Sequence, residues 1–183
     1  NMNSSTTYTA FSGDRYLANG EMMELILKIK QLQETTENIL IFNDQNGRQI
    51  DFDYTGSEQE IRERYAEPEP TKKVGRPKLG VISREITLQK KHWDWLDQQS
   101  ASASAIIRKL IDKELDDPNS ESNKMLAKQA TDRFMSAMLG DMPNYEEATR
   151  ALYQGDKQML IALIHNYPKD IQEYIFKLSK NAF

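Results

Sequence analysis

The chain has 183 residues, a hydrophobic fraction of 38%, a net charge of −4 and no cysteine. That length carries one ordinary domain or a few small ones, and the low apolar fraction points to small cores joined by polar segments. The lack of cysteine excludes disulfide frameworks, thiolate metal sites and cysteine nucleophiles, and it fits a reducing cytoplasm. Apolar runs such as Met159 to Ile164 are too short to span a bilayer, and the polar, uncharged Asn1 to Ala10 has no signal-peptide character. A cytoplasmic protein with no membrane partner is the expectation. The charge is unevenly spread: residues 1–70 carry −7, residues 71–91 carry +6, residues 92–117 carry −3, and residues 118–183 are neutral. An acidic protein with one concentrated basic segment can still meet a polyanion locally.

In chain order, Thr6 to Asn19 reads as two short strands around Ser12-Gly13-Asp14. Met22, Leu25, Ile26, Ile29 and Leu32 form an apolar stripe at helical spacing, predicting a helix over Glu21 to Thr35. Asn38 to Phe42 is β-rich, and Asn46-Gly47 is a favoured hairpin turn. Gln49 to Tyr54 alternates as the return strand, with Ile50, Phe52 and Tyr54 on one face and Asp51 and Asp53 on the wet one. Ser57 with Glu60 resembles a capping box that opens a helix to about Tyr65. Residues 1–66 are thus expected as a small ββαββα unit.

Residues 67–80 read as a linker and basic arm, with two prolines in Glu67 to Thr71 and then Lys72, Lys73, Arg76 and Lys78 around Gly75-Arg76-Pro77. Such a thin, extended, cationic stretch suits the negative minor groove of A·T tracts. Its plain alternative is a solvated basic linker. Residues 81–117 then read as a strand over Ser83 to Gln89 and two helices over about Lys91 to Gln99 and Ala103 to Leu115. In the strand Ile86 and Leu88 point inward, while Glu85, Thr87 and Gln89 face out. Ser102 is a natural N-cap for the second helix, whose free N–H groups, with Ser104, suit a DNA phosphate. Residues 118–183 form a C-terminal helical bundle, with helices over Lys124 to Leu139, Asn144 to Tyr153, Asp156 to Asn166 and Pro168 to Leu178. The fold class is α+β in three parts.

The run from Arg84 to Gln89, Trp93 and Leu96 in a first helix, and Ser102 to Ile111 in a second resembles the ribbon-helix-helix family over about Ser83 to Leu115. The resemblance implies that one strand from each of two chains pairs antiparallel and enters the major groove. It implies a dimer core of Ile86, Leu88, Trp93, Leu96, Ile106, Ile107, Leu110 and Ile111. DNA contacts then fall to Lys72, Lys73, Arg76, Lys78, Arg84, Glu85, Thr87, Gln89, Lys90, Lys91, Ser102 and Ser104. Glu85 departs from the usual basic or neutral ribbon face. It can accept from cytosine N4 but repels phosphates.

Most of the chain also resembles an uncharacterised bacterial family, domain of unknown function family 2239. The residues are Phe11-Ser12-Gly13-Asp14-Arg15, Ile39 to Phe42, Asp51 to Asp53, Gly75 to Val81, Arg84 to Leu88, His92 to Leu96, Arg133-Phe134-Met135, Gly140 to Pro143, Tyr145 to Leu152 and Gly155-Asp156. That resemblance carries no activity.

The function expected is sequence-specific DNA binding by a homodimeric transcriptional regulator, with no catalytic residues, metal or cofactor. The main alternative is a dimeric protein-interaction adaptor, in which the N-terminal or C-terminal unit holds the protein partner. An enzyme is the third reading. His92 and His165 have no carboxylate spacing suited to metal, and Trp93 reads as core packing rather than a ligand cage. Trp95 would lie on another face. Glu146-Glu147 with Arg150 fits an acidic first turn after an Asn cap, with a salt bridge to Arg150, better than an acid–base pair.

Overall fold

A computed structural model describes residues 5–32, 38–66 and 80–183. The chain divides into two compact units, one made of residues 1–66 together with 117–183, the other of residues 67–116. The expectation of separate N-terminal and C-terminal units is corrected here. The two segments fold as one, because the sheet has two apolar faces and needs helices from both to cover them.

The sheet is antiparallel, in the order β2 (Arg15–Glu21), β1 (Thr7–Ser12), β3 (Ile39–Asn43), β4 (Gln49–Ile50). Gly13 turns β1 into β2 at φ +60. Helix α1 (Met22–Gln31) follows β2 and buries Leu25, Ile26 and Ile29, the centre of its expected stripe. Residues 33–35 of the longer predicted helix lie outside the described residues. Tyr8, Ala10, Ala18, Leu25, Ile29 and Ile41 form the core on this face, with Ile50, Phe52 and Tyr54 packed against it.

Those last three residues share a face as their alternation predicts, but the return strand ends at Ile50. Beyond it the backbone is claimed by side chains. The Asp53 N–H donates to the Tyr65 hydroxyl at 2.7 Å, and Arg64 donates to the carbonyls of Asp53 and Thr55. A ladder cannot use groups already spent. Helix α2 (Glu58–Tyr65) starts where expected, with the Ser57 hydroxyl accepting from the Glu60 N–H at 3.2 Å.

After the central helices α3 (Lys90–Asp97) and α4 (Ala103–Leu115), the chain returns through α5 (Glu121–Leu139), α6 (Tyr145–Gln154), α7 (Lys157–Leu163) and α8 (Lys169–Leu178). These cover the second sheet face. Phe134 lies 5.5 Å from Phe11, 4.8 Å from Phe42 and 4.6 Å from Tyr174 between ring centroids, mostly edge to face. Phe11 and Phe42 come from β1 and β3, whereas Phe134 and Tyr174 come from α5 and α8. Ile41 and Phe42 are adjacent and both buried because they face opposite layers.

Two local expectations for α6 change. Asn144 does precede the helix, but it takes the left-handed conformation at φ 68 and its side chain makes no capping bond. Glu147 and Arg150 form no ion pair. No helix among the described residues is long and apolar enough to cross a membrane.

A partly buried carboxylate joins the two halves of this unit. Asp44, at the end of β3, accepts from Thr7 (2.5 Å), Thr9 (2.6 Å), Asn19 (2.7 Å), Tyr174 (2.7 Å) and the Lys177 ammonium (3.3 Å). Its side chain is 9% exposed. Burial by itself raises a carboxyl pKa, yet the donors from Thr7, Thr9, Tyr174 and Asn19 together hold Asp44 below its ordinary 3.8. A depressed folded value gives stability that is present above the unfolded value and lost as pH falls through the folded one. The wild type is therefore expected to lose stability as pH drops below about 4. Asp44→Asn should show a shallower fall in melting temperature over that acid range. Parallel slopes for the two proteins would refute the role of Asp44.

Candidate nucleic-acid interface

The central unit is built unlike the other. Lys72, Lys73, Arg76 and Lys78 lie outside its described residues. From Gly80 to Leu88 the chain is neither helix nor strand, and it makes no backbone hydrogen bond to any described residue. The predicted strand over Ser83 to Gln89 is thus absent from the single chain. A strand needs a neighbour to bond with, and no other described segment of this chain supplies one.

The two predicted helices do form, α3 starting one residue early and α4 where expected. At α3 the Gln89 N–H donates to Nδ1 of His92 at 3.1 Å, so this histidine serves the helix start. At α4 the Ser102 hydroxyl accepts from the Ala105 N–H at 3.2 Å, so Ser102 is the expected N-cap. A short turn of small residues lets α3 and α4 lie together.

Neither helix buries the apolar face it carries. Among the described residues of the unit Leu96 is the buried apolar one, and α4 buries none of its residues. Ile86 is 59% exposed, Leu110 50%, Ile111 53% and Leu115 65%. Trp93 and Trp95 are also exposed, while Leu88, Ile106 and Ile107 are half-buried. Of the eight residues expected as a dimer core, Leu96 is thus buried, Leu88, Ile106 and Ile107 are half-buried, and Ile86, Trp93, Leu110 and Ile111 are exposed in one chain. Covering a side chain of this size is worth about 1.5–3 kcal/mol.

The polar site residues are on the same short segment. Arg84, Glu85, Thr87, Gln89, Lys90 and Lys91 are all exposed, as is Ser104. Lys90 pairs with Asp94 at 2.7 Å along α3. Six basic and six acidic side chains occupy residues 80–116, so the basic excess of the region comes from the arm.

The sequence reading missed Asp44, the most heavily hydrogen-bonded carboxylate described. Nothing near it marks it, because Tyr174 and Lys177 stand more than a hundred residues away. Its carboxylate is held ionised by internal donors, which is the arrangement of an anchor. Glu146 and Glu147 stand in the first turn of α6, where acidic residues complement the helix dipole. Among the described residues no group of three or more His, Asp or Glu side chains is placed to hold a metal ion. A family model described as an uncharacterized protein conserved in bacteria (DUF2239) matches residues 7–179. No curated protein and no solved structure matches the chain.

Proposed function

The chain belongs to the bacterial family DUF2239, whose description names no activity, and from the build of its central unit we propose that it is a homodimeric DNA-binding protein of ribbon-helix-helix type. The observation that carries this reading is the segment from Gly80 to Leu88, which makes no backbone hydrogen bond to any described residue, beside two helices that leave Trp93, Leu110 and Ile111 exposed. A second copy meets both needs at once. Two Arg84 to Gln89 segments paired antiparallel satisfy each other's N–H and C=O groups. The same pairing turns Ile86 and Leu88 onto Trp93, Leu96, Ile106, Ile107, Leu110 and Ile111 of both chains.

In that dimer Glu85, Thr87 and Gln89 form the outward face of the ribbon and read base edges in the major groove. Arg84, Lys90 and Lys91 flank it toward the phosphates. The start of α4, with Ser102 and Ser104, offers backbone N–H groups to a further phosphate. Lys72, Lys73, Arg76 and Lys78 supply the arm for the adjacent minor groove.

Sedimentation should give a dimer, and titration with A·T-rich duplex at two salt concentrations should show steep loss of affinity as salt rises. Replacing both Arg76 and Lys78 by Ala should lower the slope of log affinity against log salt by about 2. A strict monomer, or no binding at low salt, refutes the reading. The second reading, a dimeric adaptor without DNA, draws on Glu85 and on the charge balance of residues 80–116. A co-purifying protein without nucleic-acid absorbance would favour it.

A further inference from the structure

In the unit formed by residues 1–66 and 117–183, the turn between β3 and β4 places Arg48 in the lining of a concavity that Arg133 of α5 also lines. The turn is heavily tied. The Asn43 side-chain oxygen accepts from the N–H groups of Gln45 (2.8 Å) and Asn46 (3.3 Å), and that of Asn46 accepts from the Arg48 N–H (2.9 Å). Gly47 lies so close to α5 that a Cβ there would stand 1.9 Å from the Ala130 carbonyl oxygen. Arg133 of α5 donates from Nη1 to the Asn46 carbonyl at 2.9 Å. Arg48 and Arg133 both line an open concavity of about 590 Å³ with Gln49, Ser136, Tyr145 and Asp132.

Neither arginine forms an ion pair among the described residues. The one carboxylate in the lining, Asp132, accepts from the Tyr153 hydroxyl at 2.6 Å. Burial and that carboxylate push the Tyr153 hydroxyl up to about 12, so it stays a donor. Two guanidinium forks without a carboxylate partner, one of them held by a single N–H to a backbone carbonyl, are matched to the oxygens of a phosphate. The concavity is of the size that small organic ligands occupy and far larger than a bare phosphate needs. Tyr145 provides an aromatic wall beside it, and Asp132 an acceptor for a hydroxyl or amino group.

We propose that this concavity binds a phosphate monoester carrying a ring, of mononucleotide size, with its phosphate between Arg48 and Arg133 and its ring against Tyr145. The site belongs to one unit alone and stands whether or not the central unit binds DNA.

The test is calorimetric titration of the full chain with adenosine monophosphate, inorganic phosphate, adenosine and succinate. The monophosphate should bind and raise the melting temperature. Phosphate should compete with it weakly, and adenosine and succinate should give no signal at millimolar concentration. Arg48 is exposed, so Arg48→Gln should keep the wild-type melting temperature and weaken the monophosphate about tenfold or more. Arg48→Lys, which keeps charge but loses the fork, should fall between them. No monophosphate binding, equal binding of adenosine or succinate, or unchanged affinity in a folded Arg48→Gln protein would overturn the site.

Discussion

Phe134→Ala is expected to cost about 4 kcal/mol, the upper range for truncating a buried aromatic side chain. For a protein of this size that lowers the melting temperature by about 10 °C. The ring is fully buried and meets Phe11, Phe42 and Tyr174, so its loss opens a cavity where four elements converge. Edge-to-face pairs add about 0.5–1.5 kcal/mol each beyond the area they bury. Because the ring joins the sheet to α5 and α8, residues from both ends of the chain should melt in one transition, earlier in the variant. Circular dichroism of the tyrosines is the right probe. Both tryptophans, Trp93 and Trp95, lie in the central unit and report on that unit instead. Two separate transitions for the N-terminal and C-terminal segments, or a loss below about 1 kcal/mol, would refute the shared core.

Gly47→Ala is expected to destabilise by a similar amount, about 3–5 kcal/mol, for a different reason. Gly47 holds φ +70, where a Cβ is strained, and the added carbon would overlap the backbone oxygen of Ala130. A backbone atom in a helix has no rotamer to escape into. The turn or α5 must move, and the Arg133 bond to Asn46 moves with it. Gly13 provides the control. It has φ +60 but nothing within 4 Å of its missing side chain. Gly13→Ala should therefore show only the conformational cost, about 1 kcal/mol. Chemical denaturation of the two variants separates strain from close approach. Equal losses would mean that the contact with Ala130 carries no weight.

The elements were largely legible in the sequence, because each is written in local spacing. Leu25, Ile26 and Ile29 give α1 its period, Ser57 and Glu60 mark the start of α2, and Gly155 and Pro168 punctuate the last helices. What joins those elements was not legible. Nothing around Phe11 or Phe42 says that their partners are Phe134 and Tyr174, since pairing across such separations leaves no periodic trace. The truncation of β4 depends on where Tyr65 and Arg64 come to lie after α2 has folded. Asp44 escaped notice for the same reason. In the candidate interface, alternation placed Ile86 and Leu88 apart from Thr87 and Gln89, but a strand is a property of two segments. Among the described residues one chain shows the segment without a backbone partner and two helices with exposed apolar side chains. The four basic residues of the arm lie outside the described residues.

Synthesis gives the discontinuous first unit a particular hazard. When a ribosome has released the sheet and the central helices, Phe11 and Phe42 still await Phe134 and Tyr174, which emerge from the exit tunnel later. Until then the nascent protein presents one naked sheet face together with the open helices of its middle section, a combination that invites aggregation and chaperone capture. Chains truncated before α5 should therefore accumulate as insoluble or chaperone-bound material, while chains that include α5 to α8 escape.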